Sequence, residues 1–517
     1  MVTCRDDPDT LTRFSTDESG LFQAEGLEAV YFPRSTAEVQ ELLREANARG
    51  VPVTVSGAGT GITGGRVATG GGWALATEDL REVGEHPGES ISLEHYGRTF
   101  SLGVDRERRE AWVPAGTPLD VLERMLPPGL FYPPDPTERT ALLGASVATN
   151  ASGARSFHYG ATRQWVQGLT VVLPNGDSLR VERGEVRASV GEISFRGQAG
   201  QDYRLPLPRY CSPEMKNASA LYCRPDMDLV DLFVGSEGLL GVITEVHLTL
   251  AELPAPILGE LAFFETETQA LDFADAVRAA SQAGALTVLA LEYFDGASLR
   301  FMSHPVLEGK AFGAAVFVEL AGDLEQLDPL MDALEAHGMV EDWFADTPAD
   351  LTEQREFRHS LPESINSYVR QHGSQKMGTD FVAPPGCFRE LLAAYHAAGQ
   401  RFRAAFARPG EHYVMFGHLG DYHLHVNFLT QNEAELALVR ELYADLARQA
   451  VRLGGVISGE HGVGKKTVLV EGRRVPYLEL MLGREGLREI ARLKRALDTN
   501  LVLNLGNMVP KELYNEL

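Results

Sequence analysis

The sequence predicts a mixed fold of sheets covered by helices, arranged in two halves. Three observations carry this. The N-terminal half holds two glycine-rich regions among short strand patterns. The C-terminal half alternates apolar strand runs with amphipathic helices, the order expected of a sheet with helices on its face. Between them, Leu253-Pro254-Ala255-Pro256 reads as a linker.

Residues 35–49 read as a helix. Ser35 is an N-cap after Pro33, and Glu38 stands three residues on, as in a capping box. Val39, Leu42, Leu43 and Ala46 form one stripe, and Gly50 ends the helix. Val51–Val55 reads as a short strand running into Ser56-Gly57-Ala58-Gly59-Thr60-Gly61-Ile62-Thr63-Gly64-Gly65. Helix, strand and glycine loop in that order place backbone N–H groups where they can wrap a phosphate. Gly59 to Gly64 spells Gly-x-Gly-x-x-Gly, but no helix pattern follows at once, as the dinucleotide fingerprint requires. No Gly-Lys-Ser/Thr follows for a P-loop. A turn of no chemical interest is the alternative; the glycine density favours close approach of the backbone to a ligand.

A second small-residue region spans 111–165, with Pro133-Pro134-Asp135-Pro136-Thr137, Gly144 to Gly153, and Tyr159-Gly160. Such runs let a flat cofactor lie against the backbone and equally permit tight packing. Leu169–Leu173 and Leu179–Val181 read as strands joined by Pro174-Asn175-Gly176-Asp177, a hairpin signal. Residues 183–228 are polar and irregular, an insertion expected as a surface excursion that docks an electron-accepting partner or a neighbouring subunit, or that is merely decorative. Leu229–Val234 reads as a strand, Gly235–Gly238 as a turn and Gly241–Leu250 as an alternating strand. Beyond the linker, strands at Gly259–Phe263, Ala314–Glu319, Val414–Gly417 and His423–Phe428 alternate with helices at Thr268–Ala283, Leu324–Ala336, Cys387–Ala404 and Glu433–Leu453.

Composition narrows the function classes. With 517 residues the chain can bury two or three cores, and 44% hydrophobic with 23% charged residues describes an ordinary globular protein. A formal net charge of −25 argues against nucleic acid, which needs a basic face, and against broad attraction to anionic lipid. No apolar run reaches the length of a membrane span, and the acidic start is not a secretory signal. Cys4, Cys211, Cys223 and Cys387 are scattered, with no Cys-x-x-Cys pair. That disfavours an iron–sulfur cluster and fits a reducing cytoplasm, with peripheral membrane association allowed.

Chemistry concentrates near the C-terminus. His418, His423 and His425 fall within eight residues, and Ser458-Gly459-Glu460-His461-Gly462 sets a carboxylate beside a histidine between glycines. Imidazole and carboxylate together suit zinc or manganese, although each histidine alone is more often a surface or core residue. His423 and His425 would share a face on a strand. His418 and His425 would converge instead if Gly420 allows a turn. Spacing does not choose between these.

Taken together, the motifs resemble the FAD-dependent D-2-hydroxy-acid dehydrogenases, a group of vanillyl-alcohol-oxidase-like flavoproteins that includes D-lactate and D-2-hydroxyglutarate dehydrogenases and the flavin subunit of glycolate oxidase. They stand in family order: Ser56–Gly65, Pro133–Thr137, Ala148–Gly153, Gly235–Gly241, Gly417–Asn427, Ser458–Gly464, and Leu497–Asn500 with Asn504-Leu505-Gly506. The resemblance implies an α+β fold. A two-subdomain FAD-binding domain of the PCMH type would occupy 1–253, with 183–228 inserted. A cap domain with an antiparallel sheet would follow at 257–480, and residues 481–517 would return to the flavin domain.

The resemblance also implies roles. Gly57, Gly59, Thr60, Gly61 and Gly65 would surround the pyrophosphate of FAD. Pro134, Asp135, Thr137, Gly144, Ser146, Thr149, Asn150 and Gly153 would line the second wall, with Ile243 near adenine and Asn504 also at the cofactor. Thr60 stands where some relatives carry a flavin-linking histidine, so FAD is expected to be non-covalent. His418, His425 and Glu460 would hold a divalent metal, zinc or manganese. His461 would be the base, and Arg358 and Lys376 would hold the substrate carboxylate. His423 replaces a family asparagine and becomes either an extra ligand or a wall of the substrate pocket. The implied reaction is oxidation of a small D-2-hydroxy acid, D-lactate foremost, with D-2-hydroxyglutarate or glycolate as alternatives. Electrons would leave to a quinone, a cytochrome, an electron-transfer flavoprotein or a partner subunit, and a homodimer is allowed. A metal-dependent hydrolase would use the same histidines but needs no glycine-rich cofactor loops. The near P-loop Gly459–Lys466 puts Lys466 where a hydroxyl must meet magnesium.

Overall fold

The computed structural model describes residues 2–324 and 327–517. The N-terminal half holds two sheets. The first has four strands in the order Thr3–Arg5, Leu27–Phe32, Gly72–Ala76, Val53–Ser56, the last three parallel. Helix Thr36–Arg49 connects two of them as expected. The Ser35 side chain accepts from Glu38 N, Gly50 closes the helix at φ 64°, and Val39, Leu42, Leu43 and Ala46 are buried. The second sheet is antiparallel, in the order Ser178–Glu182, Val166–Val172, Val242–Thr249, Glu110–Pro114, Arg98–Asp105, Glu89–His95. Its first two strands form the expected hairpin, with Gly176 at φ 78° in the turn.

Two expectations fail in this half. Leu229–Phe233 is a helix, not a strand: Asp228 caps it through Val230 N, and all five residues are buried. A short, largely apolar run reads alike in either conformation. Residues 183–228 are not a polar surface excursion. Strands Glu192–Arg196 and Asp202–Pro206 pair antiparallel, and Ile193, Phe195, Tyr203, Leu205, Leu221 and Cys223 are buried. The strict alternation within each short strand supplies one apolar face, hidden in the sequence by charged residues on the other.

The C-terminal half is built on a seven-stranded sheet. Its order is Glu341–Ala345, Ile257–Phe264, Ala314–Ala321, Thr287–Asp295, Tyr413–His418, His423–Leu429, Lys376–Gly378, with every pairing antiparallel. Alternate residues of Ile257–Phe264 serve two cores. Ala262 and Phe264 join the core shared with helices Glu267–Gln282, Asp328–Ala336, Phe388–Ala405 and Glu433–Arg452. Leu261 and Phe263 face helix Pro348–Gln371 through Phe357, Leu361 and Ile365. The expected helix at Leu324–Ala336 runs in part through residues 325–326, outside the described residues; the helix observed is Asp328–Ala336.

Helix Pro348–Gln371 is one that the sequence pattern does not reveal. Thr347 caps it, Pro348 opens it, and Pro362 lies inside it. A proline there removes the N–H that would bond the carbonyl four residues back, that of Arg358, and so masks the helix pattern. After helix Glu479–Leu497 the chain returns to the first sheet: Val53 N donates to Val502 O at 2.7 Å, and Asn504 N to Val53 O at 2.8 Å. Among the described residues no helix is long and apolar enough to cross a membrane.

Candidate functional site

The strands Tyr413–His418 and His423–Leu429 form a tight hairpin with His418 opposite His423 and Phe416 opposite His425. Tyr422, at φ 56°, takes the left-handed position of the turn rather than Gly420. Gly420 is needed for another reason: a Cβ there would meet the Phe157 ring at 2.7 Å. His418 and His425 converge on one carboxylate. His418 Nε2 lies 3.1 Å from Glu460 Oε2, and His425 Nε2 lies 3.3 Å from Glu460 Oε1.

The far nitrogen of each ring is anchored. His418 Nδ1 is 2.7 Å from Glu292 Oε1, and His425 Nδ1 donates to Thr379 O at 2.7 Å. Outer partners of this kind fix the tautomer and aim the Nε2 lone pair at a bound cation. Ligand atoms of His418, His423, His425 and Glu460 lie within 4.8 Å of one another, so the donor set fits a divalent ion with nitrogen and oxygen ligands.

His423 differs from its neighbours. It is wholly buried, with Nε2 2.9 Å from Asp380 Oδ1, and it is not a wall of the cavity, which corrects the expectation that it lines the substrate pocket. Burial, then the nearby His425 and Lys216, push its imidazole down to about 3, so it is neutral.

Asp380 organises the loop that carries His461. It accepts from His461 N at 3.0 Å, takes a bond from the Ser458 hydroxyl, and stands 3.3 Å from His461 Nδ1. Burial alone would raise its carboxyl, but the adjoining His461 and His423 hold it well below the usual range. His461 is a third exposed, its Nε2 3.7 Å from Glu460 Oε1.

Glu292, Thr379, His418, His425, Glu460 and His461 border one cavity of about 760 Å³. Helix Pro348–Gln371 presents Arg358, Pro362, Asn366 and Arg370 to it, one face at helical spacing, and Lys376 stands beside them on the edge strand. Arg358 lies 3.9 Å from Glu292 and 4.0 Å from Asp135. Burial pushes the Lys376 ammonium down to about 8. From the N-terminal half, Ile62, Asp135 and Thr137 complete the cavity, so substrate-side and cofactor-side residues share one space.

The two glycine-rich regions pack closely on their surroundings. A Cβ on Gly57 would stand 2.9 Å from Ala145, one on Gly144 2.5 Å from Ala115, and one on Gly153 2.2 Å from the Asp135 carbonyl. The two regions therefore meet face to face. A Cβ on Gly61 would meet no atom within 4 Å and one on Gly65 none nearer than 3.7 Å, so the loop is open at these two positions; Gly59 and Gly64 have positive φ. Thr60 sits among them. Ser146 and Ser152 keep buried hydroxyl oxygens without a protein partner, as groups awaiting a polar ligand would.

Other expected contacts take structural parts. Thr149 Oγ1 bonds its own helix at Ala145 O. Asn150 joins Arg163 N and Asn217 O. Pro134 is buried in the second wall, and Ile243 lies in the sheet opposite Val171. Asn504 accepts from Val55 N at 2.6 Å and donates to Glu237 O at 2.8 Å. That makes Asn504 a brace behind the first glycine loop, where a cofactor contact was expected. Sequence reasoning missed Glu292, Thr379, Asp380 and Lys216. Glu292 and Thr379 stand outside any motif, and Asp380 and Lys216 show only as isolated polar residues among apolar or irregular stretches.

Comparison with known proteins agrees with this architecture. Residues 27–182 match a family model described as FAD binding domain, and residues 257–508 match one described as FAD linked oxidases, C-terminal domain. The chain is 28% identical over 494 residues to the glycolate oxidase subunit GlcD of Bacillus subtilis, covering 94% of this chain and 89% of the relative. It is 27% identical to a D-lactate dehydrogenase of Anaerostipes hadrus, covering 96% and 93%, and 29% identical to a D-2-hydroxyglutarate dehydrogenase of Xanthomonas citri pv. viticola, covering 93% and 89%. A solved alkyldihydroxyacetonephosphate synthase shares the fold, with a TM-score of 0.64 at 15% identity over 97% of this chain and 81% of that one. With both halves matched in order and the glycine walls facing the cap cavity, the chain belongs to the FAD-dependent D-2-hydroxy-acid dehydrogenase family of FAD-linked oxidoreductases.

Proposed function

We propose that this enzyme oxidises a small D-2-hydroxy acid, D-lactate foremost, to the 2-oxo acid. The observation that carries the reading is the shared cavity. Two cations, the His418–His425–Glu460 cluster and a histidine beside a carboxylate all border the cavity that Ile62, Asp135 and Thr137 of the N-terminal half also line. Arg358 and Lys376 would hold the substrate carboxylate, the planar guanidinium fixing its orientation. His461 would take the 2-hydroxyl proton, with Asp380 holding its ring and stabilising the imidazolium. A divalent ion held by His418, His425 and Glu460, zinc or manganese from the donor types, would supply positive charge that lowers the hydroxyl pKa. FAD, when bound, supplies the two-electron acceptor for the hydride from C2. The electrons would then pass to an external acceptor such as a quinone, a cytochrome or an electron-transfer flavoprotein.

One observation favours a second reading. Arg370, Arg440, Lys466 and Arg474 also border the cavity, and Arg370 and Arg474 have no carboxylate within 4.0 Å among the described residues. They could receive a second anionic group, as in a 2-hydroxy dicarboxylate. Anaerobic flavin reduction with D-lactate and D-2-hydroxyglutarate separates the two: lactate is expected to reduce the flavin faster, and a wide margin for hydroxyglutarate would move the assignment to the dicarboxylate.

A further inference from the structure

Lys216 is a charged side chain for which the catalytic reading has no use. It belongs to the 183–228 segment of the N-terminal half, yet its side chain is only 3% exposed. Its Nζ lies 2.8 Å from Glu460 Oε2 and 3.9 Å from Asp421 Oδ2. The approach is close but not aligned as a hydrogen bond, so Lys216 Nζ and Glu460 Oε2 both remain buried without a formed bond in the protein. The residues that follow are pinned on both sides. Asn217 O accepts from Asn150 Nδ2 at 3.1 Å, on the second glycine-rich wall. Ala218 N donates to Ser458 O at 2.9 Å, and the Ser219 hydroxyl exchanges 3.0 Å bonds with Ser458 O and N. Lys216 does not border the cavity, so it approaches Glu460 from behind.

We propose that Lys216 is a positioning residue for the cation site, holding the Glu460 carboxylate so that one oxygen faces His418 and the other His425. The proposal rests on reading the His418–His425–Glu460 cluster as a divalent cation site. A glutamate side chain has three rotatable bonds, and an ammonium fixed at its back by the 216–219 strap removes that freedom before a cation arrives. The competing account treats Lys216 as a counter-charge only. The two differ in sign. Like charges repel, so a pure counter-charge weakens divalent binding and its removal tightens it. Loss of an outer partner that orients a ligand weakens binding by about 10- to 100-fold.

The test uses the FAD-loaded full chain and Zn²⁺ or Mn²⁺ in competition with a chelator, comparing wild type with K216M and K216Q. K216M is expected to keep its FAD and to bind the ion about 10- to 100-fold more weakly. K216Q, which retains a donor without the charge, is expected to fall between K216M and wild type. Unchanged or tighter binding in K216M overturns the proposal and leaves the cation site standing. If K216M does not accumulate as a folded flavoprotein, K216Q decides by the same comparison. A wild-type protein that binds neither ion overturns the cation site itself, and the proposal with it.

Discussion

At the scale of single residues, His461 and Asp380 divide one task. His461 borders the cavity, and Asp380 behind it accepts from the backbone N–H and stands 3.3 Å from the ring Nδ1 of the same histidine. His461→Ala should leave substrate binding near normal and slow flavin reduction by about 10²- to 10⁴-fold, the usual worth of a positioned base. Asp380→Asn should lower the same rate constant with a smaller change in KM. Stopped-flow reduction at saturating substrate measures both, and a wild-type rate in His461→Ala would remove it as the base. Lys376 gives a pH signature. Its ammonium, pushed down to about 8 by burial, is charged below that pH and neutral above it. The grip on an anionic substrate should therefore weaken, and KM rise, as pH climbs through about 8. Lys376→Met should flatten that limb; a limb that persists unchanged in the variant belongs to another group.

At the scale of elements, helix Pro348–Gln371 sets a cationic wall of the cavity. Its polar face carries Arg358 and Arg370 to the cavity, while Phe357, Leu361 and Ile365 seat the other face on the sheet. Pro362→Ala should restore the bond to the Arg358 carbonyl and stabilise the protein by up to about 3 kcal/mol, seen as a raised Tm. A lowered Tm would mean that the surrounding structure requires the proline. This helix also shows where sequence reading stops. The helices at 36–49, 267–282, 388–405 and 433–452 were legible because each buries a regular apolar stripe between recognisable ends. Pro348–Gln371 was not, because its charged face and internal proline hide the period. The metal-type cluster was legible as motifs. Which histidines converge was not, because that depends on the hairpin register and on Glu292, Thr379 and Asp380, which lie far away in sequence. Leu229–Phe233 and the hairpin at 192–206 were misread because short apolar or alternating runs carry too little information without their tertiary partners.

At the scale of the whole molecule, the two halves are joined at the site. Arg155, next to the second glycine-rich wall, pairs with Glu319 of the cap sheet through two bonds of 2.6 and 2.9 Å, both side chains largely buried. Breaking one partner leaves the other charge buried, so Arg155→Met should destabilise by about 3–5 kcal/mol. Calorimetry should show the lowered Tm, and a Tm within a degree of wild type would place the joint elsewhere. The central claim, that the cavity between glycine walls and cap cluster oxidises a D-2-hydroxy acid against bound FAD, is tested most directly by anaerobic flavin bleaching of the purified protein with paired D- and L-2-hydroxy acids. The account predicts acid-extractable FAD that bleaches with D-lactate and hardly at all with L-lactate. A protein that cannot be loaded with FAD, or flavin that bleaches equally with both enantiomers, would contradict it.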